Sequence, residues 1–477
     1  MRLTAIIGGE IHVQRFNSSS SPVLRKAIEE NTFKNKAFID AIKTGRSVRG
    51  IPETVQTWRK DESGIVFPRG YGARLHTLAA SSAEPIDWMD HRITASCGGY
   101  PGRLIGVEPR PYQEQAVTDA LKKSQGVVRA PTGSGKTLMG NELLRRLGQR
   151  AVILLAAREL ARQWVEVIRK QLGIECGTIG DGVWTEGEQI TVATMQTLAS
   201  RPDETARFAT GIGAVLVDEC HHAPALTFAR VVGMFPAKYR YGLTATTMRG
   251  DGLEEVIYRV IGDVVASVQP DEVQGLGGIV PAIVATMDTG CRFDGVDPAD
   301  KKGAWMGLVA KLVADGGRNR QIAALAVRVS EKRQTLILTD RVEHAEAIGA
   351  LIPDALLIHG KLPAKERRNR MSTLADSRVV IGTRGLLGEG LDCSVWSALI
   401  LAAPMSGEAP LLQAVGRVIR PAPGKLNGLV IDLVDSHPFT LAMLKKRTTV
   451  YKKRGWPVTR HGGLGKLGYQ PNANQDR

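Results

Sequence analysis

GVVRAPTGSGKT, Gly126 to Thr137, runs from a short apolar stretch into a loop almost without side chains and then into a helix-like segment. Such a loop lets consecutive backbone N–H groups close around phosphate oxygens at the positive end of a helix macrodipole. The pattern predicts that Pro131, Thr132, Gly133, Ser134 and Gly135 cradle the phosphates of a nucleoside triphosphate. Lys136 would reach the β- and γ-phosphates, and Thr137 would ligate Mg²⁺. Ala130 stands where the pattern G-x-x-x-x-G-K-[ST] has its first glycine, which leaves Gly133 and Gly135 to shape the loop.

Downstream, apolar runs alternate with helix-like segments: AVILLAA at 151–157, QITVATM at 189–195, AVLVDEC at 214–220 and RYGLTAT at 240–246. Continuous apolar strands separated by helices predict a parallel sheet covered on both faces, with reactive residues at its carboxyl end. Asp218-Glu219-Cys220-His221 closes the third run. One acid there can hold Mg²⁺ through water while the next orients or deprotonates an attacking water. Thr244 and Thr246 offer hydroxyls to bridge this cluster to a neighbouring domain. Upstream, Arg110-Pro111-Tyr112-Gln113 sets a ring beside an amide that both donates and accepts, which suits an adenine edge.

A second series, QTLILTD at 334–340, ALLIHG at 355–360, SRVVIGT at 377–383, SALILAAP at 397–404 and GLVIDLVD at 428–435, predicts a second parallel sheet without a phosphate loop. Its polar strand ends offer Gly388-Glu389-Gly390-Leu391-Asp392 and the helix-like LLQAVGRVIRP. There Gln413, Gly416, Arg417 and Arg420 recur at three- and four-residue spacing, on one face of a helix. Arginines so placed can enter a phosphate site and stabilise transition-state charge.

The remaining stretches set the boundaries. Residues 1–100 lack the strand–helix rhythm and predict a small α+β domain, in which Arg69, Tyr71 and Arg74 suit either nucleic-acid contact or a solvated loop. Residues 101–267 and 268–440 hold the two sheets, with 262–300 an irregular connection and 441–477 a basic extension, flexible from about 460. That extension carries Lys445-Lys446-Arg447 and Lys452-Lys453-Arg454. Gly463-x-Gly465-x-x-Gly468 matches a dinucleotide fingerprint in letters only, since no strand precedes it.

With 477 residues, 43% of them hydrophobic, the chain exceeds one compact core. No apolar run is long enough to span a bilayer, so the expectation is a soluble cytoplasmic protein of a bacterial or phage-infected cell. Five scattered cysteines without a C-x-x-C pair argue against a disulfide framework and a zinc site. A formal net charge of +15 favours an anionic polymer as partner.

Taken in order, RPYQ, APTGSGKT, AARELARQW, VATMQTL, DECH, LTAT, LILTDR, IHGKL, IGTRGLLGEGLD and QAVGRVIR resemble the superfamily two DExH-box helicases over about residues 109–435. Within them, the chain resembles the branch of XPB-like and phage or bacterial DNA translocases. The resemblance implies an α/β fold of two tandem RecA-like domains behind the small N-terminal domain, an ATP-dependent motor, ATP and Mg²⁺ as cofactors, and DNA as partner. RNA helicase, or motor subunit of a restriction complex without its own nuclease, is the alternative. Partner proteins of repair, recombination or phage replication are also implied.

By the same resemblance Gln113 and Arg110 read the adenine, Gly133, Gly135, Lys136 and Thr137 hold phosphates and Mg²⁺, and Asp218 holds the metal through water. Glu219 is the base, while His221, Thr244 and Thr246 couple the site to nucleic acid. Gln413, Gly390 and Asp392 lie near the nucleotide, Arg417 and Arg420 near the γ-phosphate, and Arg158, Thr194 and Thr383 on the phosphodiester backbone. Gly250 stands where the XPB-like branch has an acidic residue, and no room exists between Asp392 and Gln413 for a long strand-separating hairpin. Translocation along duplex, or remodelling of branched structures, is the expectation.

Overall fold

Strands buried on both faces must come from unbroken apolar runs, and five-residue stretches such as Ala151–Leu155 and Ala214–Asp218 are buried at every position. The computed structural model describes residues 2–14, 21–43, 47–62, 64–82, 84–156, 158–219, 225–245, 254–292, 301–387 and 393–461. It divides into two units, Met1–Leu276 and Gly277–Arg477.

In the first unit an eight-stranded sheet takes the order Val183–Thr185, Gly177–Gly180, Ile190–Thr194, Ala151–Leu155, Ala214–Asp218, Tyr239–Thr244, Gln125–Arg129, Val264–Ser267. Every neighbouring pair is parallel except the edge hairpin Gly177–Gly180 with Val183–Thr185. Parallel pairing places all carboxyl ends on one side, so the loop after Arg129 and the acids after Val217 open to the same edge. Helices cover the sheet, and Val152, Leu154, Val215, Val217, Phe228 and Phe235 anchor the core on one face.

The N-terminal domain is α+β, as its lack of repeat rhythm predicts. A five-stranded sheet in the order Arg59–Lys60, Gly64–Pro68, Glu10–Gln14, Leu3–Ile7, Ile86–Asp90 packs on helices Pro22–Glu30 and Gly72–Ser81. Arg69 and Tyr71 are each 1% exposed, which overturns both readings made of them. Arg69 donates to Gln125 Oε1 (2.7 Å) and to the carbonyls of Ala237 (2.5 Å) and Gly8 (3.3 Å). The Tyr71 hydroxyl donates to Glu30 at 2.8 Å, and Arg74 meets the same carboxylate at 2.6 Å. These groups hold the domain together and dock it on the eight-stranded sheet.

The second unit carries a wholly parallel seven-stranded sheet: Leu356–Ile358, Val379–Thr383, Thr335–Thr339, Ala398–Leu401, Gly428–Ser436, Ala282–Arg292, Val458–His461. Two expectations are corrected here. The stretch 262–300 holds strand Val264–Ser267, helix Pro270–Gly275 and strand Ala282–Arg292, which lies between two neighbours rather than in a connection. Helix Pro438–Lys453 and strand Val458–His461 belong to the second domain, so no boundary falls at 440. Arg447, counted in the basic extension, is buried and bonds Asp432 at 2.8 Å. Strand Val458–His461 runs up to the glycine-rich tail, against the expectation that no strand precedes Gly463; the tail itself and Gly250 lie outside the described residues.

Candidate nucleotide site

Only two positions in the phosphate loop require a left-handed backbone, Gly133 (φ +86°) and Gly135 (φ +80°). Ala130 is not among the positive-φ residues; its N–H continues the ladder by donating to Thr244 O at 2.9 Å. An alanine therefore costs nothing at that position. Ser134 is fully buried and its Oγ has no partner, which is unusual for a buried hydroxyl and suits a group that a ligand completes. Its carbonyl accepts from Tyr112 Oη (3.1 Å) and Gln113 Nε2 (2.7 Å). Gln113 Oε1 meanwhile accepts the Arg110 N–H at 2.8 Å. The amide expected at an adenine edge thus braces the loop, and a Cβ on Gly135 would stand 2.4 Å from Gln113 Nε2.

Strand Ala214–Asp218 delivers the acid pair. Glu219 follows with φ +46°, a conformation that costs a non-glycine residue energy and concentrates at working sites. Lys136 Nζ meets Glu219 Oε1 at 3.1 Å, joining the first residue of helix Lys136–Leu147 to the strand end. Asp218 is 6% exposed; its Oδ1 accepts the Glu219 N–H at 3.0 Å and its Oδ2 the Trp164 indole N–H at 2.8 Å. Burial pushes the Asp218 carboxyl above its ordinary range and Glu219 adds to this, while Lys136 and Trp164 oppose it. Cationic lysine, glycine cradle, buried Ser134 hydroxyl and paired acids fit a Mg²⁺-bound triphosphate.

The other expected residues divide. Arg158 opens helix Arg158–Leu172, exposed, and pairs with Asp181 at 2.8 Å. Thr194, expected on a phosphodiester backbone, is 3% exposed and its hydroxyl meets Thr197 Oγ1 at 2.9 Å where helix Met195–Ser200 starts. Thr244 is fully buried. Both threonines sit at strand ends whose neighbours cover them, which spacing in one strand does not reveal. Thr383 ends its strand half-buried. Gln413 and Arg417 lie on helix Glu408–Val418, but Arg420 falls beyond it, because Pro421 drives the preceding residue out of helical geometry. His221, Thr246, Gly390 and Asp392 lie outside the described residues.

Two parallel-sheet domains in tandem, one bearing a phosphate loop and an acid pair, define a RecA-like nucleoside triphosphatase. The family described as "Type III restriction enzyme, res subunit" matches residues 106–249, and "Helicase conserved C-terminal domain" matches 318–422. The chain is 26% identical to "Probable helicase D10" of Escherichia phage T5, over 69% of this chain and 72% of that protein. It is 32% identical to "DNA 3'-5' translocase XPB2" of Sulfurisphaera tokodaii, over 35% of this chain and only 38% of that one. In fold it is similar to S. cerevisiae Dbp5 bound to RNA and ADP BeF3, with a TM-score of 0.56 at 19% identity, over 74% of this chain and 90% of that. The chain thus carries two helicase-family domains in tandem, and its relatives are XPB-like DNA helicases and phage helicases, consistent with superfamily two.

Proposed function

We propose that this chain is an ATP-dependent DNA translocase or helicase. The observation that carries the reading is the Lys136–Glu219 ion pair beside buried Asp218, at the edge where the phosphate loop opens. On ATP binding, Lys136 exchanges Glu219 for phosphate oxygens. Glu219 is then released to orient the attacking water and take its proton. Mg²⁺, when bound, neutralises charge on the phosphates; Thr137 would hold it directly and Asp218 through water. Ser134 and the loop N–H groups fix the phosphates, and Gln113 keeps the loop in shape. Arg417 and Arg420 act on charge at the γ-phosphate.

DNA is favoured as substrate by the relatives, named as a DNA translocase and a phage helicase, and by the net charge of +15. The Arg158 end of helix Arg158–Leu172 and Thr383 are the proposed backbone contacts. Lys136→Ala should abolish turnover. Arg417→Ala should lower kcat by about 10³-fold, the low end for a lost arginine finger, while ATP affinity changes far less. ATPase stimulation measured with duplex, forked and single-stranded DNA and with RNA tests the substrate. Stimulation by RNA alone would overturn the DNA reading, and wild-type turnover in Lys136→Ala would overturn the site.

A further inference from the structure

Trp164 has no role in the chemistry proposed above, yet it touches both halves of the site. It is 1% exposed and lies near the middle of helix Arg158–Leu172, with its indole N–H on Asp218 Oδ2 at 2.8 Å. The ring packs against the phosphate-loop helix at Gly140, where a Cβ would come within 2.8 Å of Trp164 Cη2. Only a residue without a side chain lets that helix approach the indole so closely. A second tie joins the same two helices, Asn141 Nδ2 donating to Gln171 Oε1 at 2.9 Å.

These contacts make one rigid path. Its outer end is Arg158, exposed at the first residue of the helix; its inner end is the carboxylate that would hold the metal. A carboxylate free to rotate presents its oxygens poorly to a hydrated cation; the adjacent Glu219 N–H holds Oδ1 at 3.0 Å, and the indole N–H on Oδ2 is, among the described residues, the one side-chain donor that fixes the plane of the group. We propose that Trp164 is a positioning residue, setting the Asp218 carboxylate for Mg²⁺ and passing to it any shift that nucleic acid imposes on the Arg158 helix. The proposal rests on the site read above, and its residues all lie in the first unit.

Trp164→Phe removes the N–H and keeps an aromatic ring in the slot beside Gly140. The test is ADP binding by the full chain, titrated with Mg²⁺ and also with EDTA present, alongside thermal unfolding without ligand. The expected result is a half-saturating Mg²⁺ concentration raised about tenfold, as when a group that orients a metal ligand is lost. Mg²⁺-free ADP affinity and the unfolding temperature should stay close to wild type. A second arm repeats the titration with duplex DNA, which should lower the Mg²⁺ requirement of the wild type and leave that of Trp164→Phe unchanged.

An unchanged Mg²⁺ requirement in Trp164→Phe overturns the proposal and leaves the site intact. Equal loss of Mg²⁺-free affinity or of thermal stability also overturns it, since Trp164 would then be packing alone. If wild-type ADP binding ignores Mg²⁺ altogether, the nucleotide site itself fails, and the two failures are thereby separated.

Discussion

Two arginines of each unit are buried in contrasting ways. In the first, Arg69 and Arg240 are 1% and 0% exposed, and all their hydrogen bonds go to carbonyls or to the Gln125 amide. Arg240 donates to the carbonyls of Val260, Gly9, Val232 and Phe235, and Gly9 belongs to the N-terminal domain. In the second, Arg318 bonds Asp435 and Arg447 bonds Asp432, with all four groups no more than 3% exposed. A guanidinium among carbonyls gathers ends of several segments and joins two domains; one opposite a carboxylate ties mainly a helix to a strand, though Arg447 also reaches the Met405 carbonyl at 2.6 Å. Unpaired burial costs desolvation, and it pushes Arg240 down to about 9. Paired burial instead leaves a dangerous remnant when one partner is removed.

That difference is broken or sharpened first at Arg447. Arg447→Met leaves Asp432 buried with only the Tyr451 hydroxyl beside it, at 2.8 Å. The expected loss is about 3 to 5 kcal/mol, read from hydrogen exchange along strand Gly428–Ser436. Adding Asp432→Leu should recover much of it, because the orphaned charge goes with it. A double variant as unstable as the single one would show that the pair matters by shape rather than by charge.

Neither arginine type was legible from one dimension. The central strands were, because Ala151–Leu155, Ala214–Asp218, Thr335–Thr339 and Ala398–Leu401 are buried throughout and are apolar at every position but their ends. Strand Ala282–Arg292 was hidden by the glycine, aspartate and proline around it, and Val458–His461 by its exposed edge position. In the site, Lys136, Asp218 and Glu219 were legible because phosphate chemistry dictates their types and order. The bracing role of Gln113 and the inward Thr194 were not, since each depends on a neighbour brought close only by folding. Arg69 misled for the same reason: an arginine that donates to carbonyls leaves no complementary acid in the sequence.

A pH titration sharpens the comparison next. His344, in the second unit, is 1% exposed; it accepts from the Thr339 hydroxyl at 2.7 Å and donates to Asn319 Oδ1 at 3.1 Å. Burial, with the positive charge of Arg318 adding to it, lowers the imidazole pKa to about 4. Because the folded value lies below the unfolded one, the unfolded chain takes up the proton first. Stability is whole above about pH 6.5 and falls as the pH drops from there to 4, by up to roughly 3 kcal/mol. His344→Gln should flatten this slope in the second unit's denaturation curve. A slope equally steep in the variant would place the titrating group elsewhere.

The smallest effect is expected at Arg240, where the comparison is most exposed to failure. Arg240→Met deprives four carbonyls of a donor, each loss costing of the order of 1 kcal/mol. Against that, it removes a buried cation without stranding an anion and leaves an unbranched chain to fill the space. The balance should be a net loss of about 2 kcal/mol, below that of Arg447→Met. It should appear less as global unfolding than as loosening of the N-terminal domain, because Gly9 O is the one of Arg240's four acceptors that lies in that domain, with Arg69 still holding the contact through Gln125 and Ala237. Limited proteolysis in the 91–110 connection should therefore quicken, while ADP affinity at the other end of the strands holds. Were Arg240→Met to cost as much as Arg447→Met, a carbonyl nest would be as hard to lose as a carboxylate partner. The division between the two units would then be one of geometry alone.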